Sequence, residues 1–510
     1  MTRRRWFALG CALLALNAGA GAQSGAELRT KVGEWVQQNQ RPLIRELVEL
    51  LSIPNVAADR QNIRRNAEHL RQMLARRGFA AELLETAGNP LVYGDLRVPG
   101  ATRTLLLYSH YDGQPVNAAG WKQADPFKPV LRTGRVDRGG EVVPNPETVN
   151  KFESDWRIYA RSASYDKSPI VALCAALDAM RALGTAPASN IRVILDGEEE
   201  AGSPSLVPAI GKYRDKLQAD LMVILDGPIH SSGRPTIAYG ARGVATLDLT
   251  IYGPRAGVHS GNYGNWIPNP AQRLATLLAS MKDDSGKVLV PGFYDGLPPL
   301  AQEEKALLDA VPDDAASMLK TFGVAAPEQA FPSLQAALQV PTLNVRGLAS
   351  AFVGDGARTI IPDRATAAID VRLVKETKAV DLIEKIRVHV RKAGYHLLDG
   401  DPTDDERARH SRLASIVPSP SVMHAFRTSP LDPQARRVAS AMEATFGAPP
   451  VQLRTLGGSV PIAPFIEALG FPAVLVPVVN FDNNQHEENE NLRLREFFQA
   501  IEIVAAVLRS

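Results

Sequence analysis

The chain has 510 residues, 45% of them hydrophobic and 22% charged, with a formal net charge of +2. That length calls for more than one core, about two to four domains, and the composition is that of a soluble globular protein. A near-neutral balance argues against nucleic-acid binding through a phosphate-neutralising surface.

The opening stretch "MTRRRWFALGCALLALNAGAGAQ" sets three arginines before an apolar run from Trp6 to Leu16, with small residues at Ala20 and Ala22. This is the pattern of a secretory signal peptide over residues 1–22, cleaved after Ala22. The apolar run is too short to span a bilayer, and Cys11 sits too early for a lipoprotein anchor. The mature protein is therefore expected to be exported, periplasmic or secreted, without a membrane segment. Only Cys174 of the two cysteines would survive cleavage, inside "IVALCAALDAM", so a core thiol and no internal disulfide are expected.

From Glu27 to Arg77 the pattern predicts helices, with "IRELVELLSIP" apolar at helical spacing. Short apolar runs that end in polar residues follow: "RTLLLYSHYD", "NIRVILDGEEE", "LMVILDGP" and, near the C-terminus, "FPAVLVPVVNFDNNQHEENEN". Helical stretches, "SPIVALCAALDAMRAL" and "SLVPAIGKY", separate the first three. Such alternation predicts an α/β fold, a mainly parallel sheet flanked by helices. The middle differs: "VATLDLTIYGP" and "ATAAIDVRLV" alternate with period two, as half-exposed antiparallel strands do. With the helix-like "PAQRLATLLASM" and "AVDLIEKIRVHVRKAG", they predict an inserted α+β domain over residues 241–423. The first domain would then comprise residues 23–240 and 424–510. The polar, Pro-containing "DGDPTDDERARHSRLASIVPSPS" is expected to be a surface loop near the return crossing.

Ligands of parallel sheets bind beyond the carboxyl ends of the strands, and four predicted strands carry His, Asp or Glu there. His110 and Asp112, two apart, share one face of an extended segment, so one could hold a metal while the other orients it. Glu198, Glu199 and Glu200 directly follow a strand, where they fit a metal ligand plus a general base better than a solvated surface run. Asp226 ends the third strand and His486 follows the last; an Asx turn and a polar loop are their plainer readings. Taken together, His, Glu, Asp and His suit zinc or a related divalent metal.

On these motifs the sequence resembles the dinuclear zinc exopeptidases that include carnosine-type dipeptidases, carboxypeptidase G and aminoacylases. The resemblance covers nearly all of the mature chain. It implies two Zn2+ ions (or Mn2+ or Co2+), with His110, Glu200, Asp226 and His486 as ligands. It also implies Glu199 as general base, with Asp112 beside the first histidine. The inserted unit becomes a lid and dimerisation domain. In "GVHSGNYGNWIPNP", His259 would reach the neighbouring subunit's site in a homodimer. Arg372 of "TIIPDRATAAIDVRLV" would hold the carboxylate of a small peptide substrate, and Ser459 of "LGGSVPI" would contact the substrate from the glycine-rich turn that lines the pocket. One position departs: the family pattern Gly-Arg-Gly-x-x-Asp-Asp-Lys-Gly stands here as "ARSASYDKS", so Tyr165 occupies the metal-bridging place. A phenol, with pKa near ~10 against ~3.9 for Asp, offers one donor where a carboxylate offers two. The expectation is therefore metal-dependent hydrolysis of dipeptides or short peptides, weakened by lowered metal occupancy. An inactivated peptide-binding relative and an N-acyl amino acid amidohydrolase are the alternatives.

Overall fold

The computed structural model describes residues 24–149 and 151–510. The expected signal segment over residues 1–22, Cys11 included, lies outside the described residues. Among the described residues no helix is long and apolar enough to cross a membrane.

An eight-stranded sheet organises one unit. Its centre is four parallel strands in the order Asn190–Asp196, Thr104–His110, Leu221–Ile224 and Ala473–Leu475. Antiparallel strands Leu91–Leu96 and Ala80–Leu84 extend one side, and the parallel pair Thr236–Ala238 and Val451–Leu453 extends the other. The central strands read as unbroken apolar runs because both faces are covered. Leu105, Leu107, Val193 and Val223 face one hydrophobic cluster, while Leu106, Tyr108, Ile194 and Ile224 face a second. Helices Gly25–Leu51, Arg60–Arg76, Lys167–Ala182, Pro433–Phe446 and Leu494–Leu508 cover the first face. Leu206–Leu217 and Ala463–Leu469 cover the second. Cys174 is a free, buried thiol inside helix Lys167–Ala182.

The second unit is a five-stranded sheet in the order Thr342–Ala349, Arg364–Leu373, Gly243–Tyr252, Leu413–Met423 and His396–Leu398. Alternate residues such as Leu247, Leu249, Ile369 and Val371 pack under helices Pro270–Met281 and Ala379–Lys392.

One expectation fails here. "DGDPTDDERARHSRLASIVPSPS" is not a loop: it forms helix Asp404–Arg409 and strand Leu413–Met423, which pairs antiparallel with Gly243–Tyr252. The prolines concealed the strand. On its other side this strand pairs only over Leu413–Ser415, so Pro418 and Pro420 fall where one flank needs no ladder donor.

The chain beyond Ala473–Leu475 is anchored by charge. Asp482 meets Arg157 at 2.7 Å, Arg493 at 3.1 Å and Arg135 at 3.2 Å. Burial would raise its pKa, but the hydrogen bond and charge of Arg157, with Asn480 and Arg493, hold it well below the usual carboxylate range. Unfolded Asp titrates near ~3.9, so this stabilisation is whole at neutral pH and is lost as pH falls below that value. Asp482→Asn is expected to cost about 1.5–3 kcal/mol at pH 7. Urea unfolding from pH 7 to pH 3 should show the gap from the parent protein closing as the medium becomes acidic.

Candidate metal centre

Parallel strands end on one side of a sheet, and the polar groups gather there. His110 closes strand Thr104–His110 opposite Asp196, which closes Asn190–Asp196. Asp226 lies two residues past Ile224, and Tyr165 immediately precedes helix Lys167–Ala182 with Asp166 between them.

Asp112 joins two parts of the site. His110 Nδ1 lies 3.3 Å from Asp112 Oδ1 and 3.2 Å from its carbonyl oxygen. The same carboxylate accepts the backbone N–H groups of Glu199 and Glu200, each at 3.0 Å. His110 Nε2 thereby faces inward, 3.9 Å from Glu199 Oε2. Gly197 has to be glycine at this turn, because a Cβ would stand 2.5 Å from the Tyr111 hydroxyl. Gly227, at φ +94°, lets the chain reverse directly after Asp226.

Burial dominates the electrostatics. It pushes the Asp166, Asp226 and Glu199 carboxyls up, more so because these acids crowd one another, while His110 opposes. Burial works against protonated His110, but the surrounding Glu199, Asp112 and Asp166 outweigh it and raise its pKa. Glu200 is held down despite burial, chiefly by His486, whose Nε2 is 3.3 Å from its Oε2. Gln114 Nε2 also donates to Glu200, at 2.7 Å.

A divalent cation fits the inner cluster. Among the described residues, His110 Nε2, Asp166 Oδ1 and both oxygens of Asp226 are buried without a hydrogen-bond partner, an arrangement that is costly unless a cation supplies the missing contacts. Ligand atoms of His110, Asp166 and Asp226 lie within 4.8 Å of one another, as do those of His110, Glu199 and Glu200. Nitrogen and carboxylate donors of this kind suit zinc or manganese.

Tyr165 stands between the halves of the site. Its ring meets His110 and His486 edge-on, with centroids 5.3 and 5.2 Å away. Burial, and then the charges of Asp226, Glu199 and Glu200, push its phenol well above its usual pKa, so the ring sits there neutral. His486 is half exposed. His259 is also exposed; its ring bonds Gly261 N–H at 3.1 Å and Thr359 Oγ1 at 3.4 Å, both within the second unit. Arg372 and Ser459, from different units, meet at 3.0 Å.

Further residues shape the site; of these the sequence marks Asp166, as the acid next to the bridging place, and gives no distinguishing signal for Asp196 or Glu490. Asp166 lies with His110 and Asp226 and adds a third donor to a position for which the sequence offered two. Its Oδ2 is engaged by the Ser109 hydroxyl and, at 3.3 Å, by His110 N–H. Asp196, which burial pushes up to about 6, accepts from Ser203 Oγ at 2.6 Å and Glu198 N–H at 3.0 Å. Glu490 is 1% exposed. Its carboxylate accepts from Arg161 at 2.9 Å and from the N–H groups of Ser162, Ser164 and Tyr165 at 3.0, 3.0 and 2.9 Å. It thus ties the loop bearing His486 to the turn bearing Tyr165. In "HEENEN" it is one glutamate among three, and nothing in the pattern singles it out.

The model of Peptidase family M20/M25/M40 matches residues 141–510. The chain is 27% identical to the human Beta-Ala-His dipeptidase over 508 residues, which cover 94% of this chain and 92% of that protein. It is 26% identical to the Cys-Gly metallodipeptidase dug1 of Schizosaccharomyces pombe, covering 93% and 96% of the two chains. Among solved structures, an M20 family metallo-carboxypeptidase from Sulfolobus solfataricus superposes with a TM-score of 0.71 at 28% identity, covering 91% of this chain and 98% of that one. Human carnosine dipeptidase 1 gives a TM-score of 0.71 at 25% identity, covering 94% and 98%.

The Glu490 clamp yields a test. Glu490→Gln removes the charge that four donors address and is expected to cost about 1.5–3 kcal/mol. Exposed Glu487→Gln should stay within about 0.5 kcal/mol of the parent. Thermal unfolding of the two variants beside the parent checks both.

Proposed function

The chain belongs to Peptidase family M20/M25/M40, and from that premise we propose that it is an exported, metal-dependent exopeptidase. Its substrates are dipeptides or short peptides with a free C-terminal carboxylate. The observation that carries this reading is the set of buried, unpartnered donors on His110, Asp166 and Asp226 beside Glu199, at the carboxyl edge of the parallel sheet. The dipeptidase names of the relatives support it.

His110, Asp226 and Asp166 would hold a divalent ion, and Glu200 and His486 would be donors for a second. Such ions supply a Lewis acid for the scissile carbonyl and lower the pKa of water. Glu199 takes the proton of the attacking water and delivers it to the leaving amine nitrogen. Asp112 fixes the His110 ring and the Glu199–Glu200 backbone together, so base and ligand keep one geometry. Arg372, steadied by Ser459, meets the peptide carboxylate.

Tyr165 lowers this activity. A neutral phenol between the two histidines offers a single uncharged oxygen where a carboxylate would offer two charged ones to a pair of divalent ions. Tyr165→Asp is expected to raise metal content from about one to about two ions per chain. Dipeptide hydrolysis should rise on the order of 100-fold, equivalent to about 3 kcal/mol of transition-state stabilisation. Elemental analysis and an assay panel of β-Ala-His, common dipeptides and N-acetyl amino acids test this. Equal metal content and equal rates in the two proteins would count against it, and chelation should abolish hydrolysis in both.

The working form is a homodimer in which His259 of each chain steadies the oxyanion in the other's site. Supporting it, strand Thr342–Ala349 has an open outer edge, and Trp266, Leu348 and Val353 of the same unit are exposed. Multi-angle light scattering should give a dimer mass; a strict monomer removes His259 from the site.

A further inference from the structure

Arg242 directly precedes strand Gly243–Tyr252, whose Val244 is paired with Arg372 of the neighbouring strand. Side chains alternate along a strand, so Arg242, two residues before Val244, shares the face of Arg372. Its own backbone N–H reaches the carbonyls of Leu456 at 3.1 Å and Gly458 at 3.2 Å. That fastens it to the turn whose Ser459 takes Arg372 at 3.0 Å. The backbone of Arg242 and the guanidinium of Arg372 therefore meet one glycine-rich turn at the junction of the two units, and the charge of Arg372 acts on the Arg242 guanidinium.

Arg242 is only 4% exposed, yet among the described residues its side chain makes a single hydrogen bond, from Nη2 to the Val340 carbonyl at 2.9 Å. Among the same residues its buried Nε has no partner. Among the described residues no carboxylate comes within ion-pair distance of it. Burial, and then the neighbouring Arg372, lower its pKa to about 10, which leaves it charged at neutral pH. Asp370 is the acid of this group, 3.8 Å from Arg372 Nε and also bonded by Asn344 at 2.8 Å. Two guanidinium groups against one carboxylate leave one positive charge uncompensated. A buried charge in that state is costly unless an anion arrives to pair with it.

We propose that Arg242 is a second carboxylate-binding guanidinium, which together with Arg372 and Ser459 holds the free C-terminal carboxylate of the substrate. The proposal rests on the peptidase reading above and adds to it a residue that fixes the requirement for a free C-terminus. The surplus of one charge matches one carboxylate, and a guanidinium fork supplies paired donors that a point charge does not.

The test uses metal-loaded, full-length protein and a dipeptide analogue whose peptide bond is reduced to CH2–NH, so that binding is read without turnover. Isothermal titration compares the Ala-Phe analogue as free acid and as C-terminal amide. The parent protein should prefer the acid. Arg242→Met should weaken the acid about 10–100-fold and the amide less than about twofold, while Arg242→Lys, which keeps charge without the fork, should fall between. Should the methionine variant lack a folded melting transition, the lysine variant carries the comparison. Acid binding that is unchanged in both variants, or acid and amide weakened equally, overturns the role of Arg242 and leaves the peptidase reading standing. A parent protein that binds neither compound overturns both.

Discussion

A carboxylate removed from water has to find donors or a cation, and the catalytic edge of this protein is organised by that constraint. Asp112, Asp166, Asp196, Asp226, Glu199 and Glu490 are all buried there. Asp112, Asp196 and Glu490 find backbone N–H groups, hydroxyls or an arginine, and in doing so pin the turns that carry the other groups. Among the described residues, neither oxygen of Asp226 and only one oxygen of Asp166 comes within hydrogen-bond distance of a partner, although the Tyr165 hydroxyl acts on Asp226 from farther off. The acids that are satisfied build the frame, and those left unsatisfied mark where a cation belongs.

This division explains why the departure at Tyr165 is local. Its backbone N–H is held by Glu490 as part of a clamp with four donors, and the clamp does not depend on which side chain the residue carries. The ring then takes the space between His110 and His486 and packs edge-on against both. A fold so fastened accommodates an aromatic ring at this place without loss of the clamp.

The second unit contributes charge of the opposite sign. Arg372 and Arg242 share a sheet face beside the turn containing Ser459. The acidic, cation-seeking cluster belongs to the first unit, and this guanidinium pair to the sheet of the second. That polarity is a reason for joining two sheets in one chain.

Much of this was legible in the sequence. Unbroken apolar runs ending in His, Asp or Glu gave the parallel sheet and put His110, Glu199, Glu200, Asp226 and His486 at its edge, because strand period and the shared direction of parallel strands are local properties. The strand Leu413–Met423 was hidden, since its prolines read as a loop until an open flank made them harmless. Glu490 was invisible as well: its role depends on donors across space, and these come from a turn more than 300 residues earlier in the chain; Asp196 and Arg242 likewise carry no mark of their burial in the sequence. Residue types and order determined the fold class and the chemistry available. Only tertiary packing decided which buried charges were paired and which were left open, because that depends on burial and distance rather than on spacing along the chain.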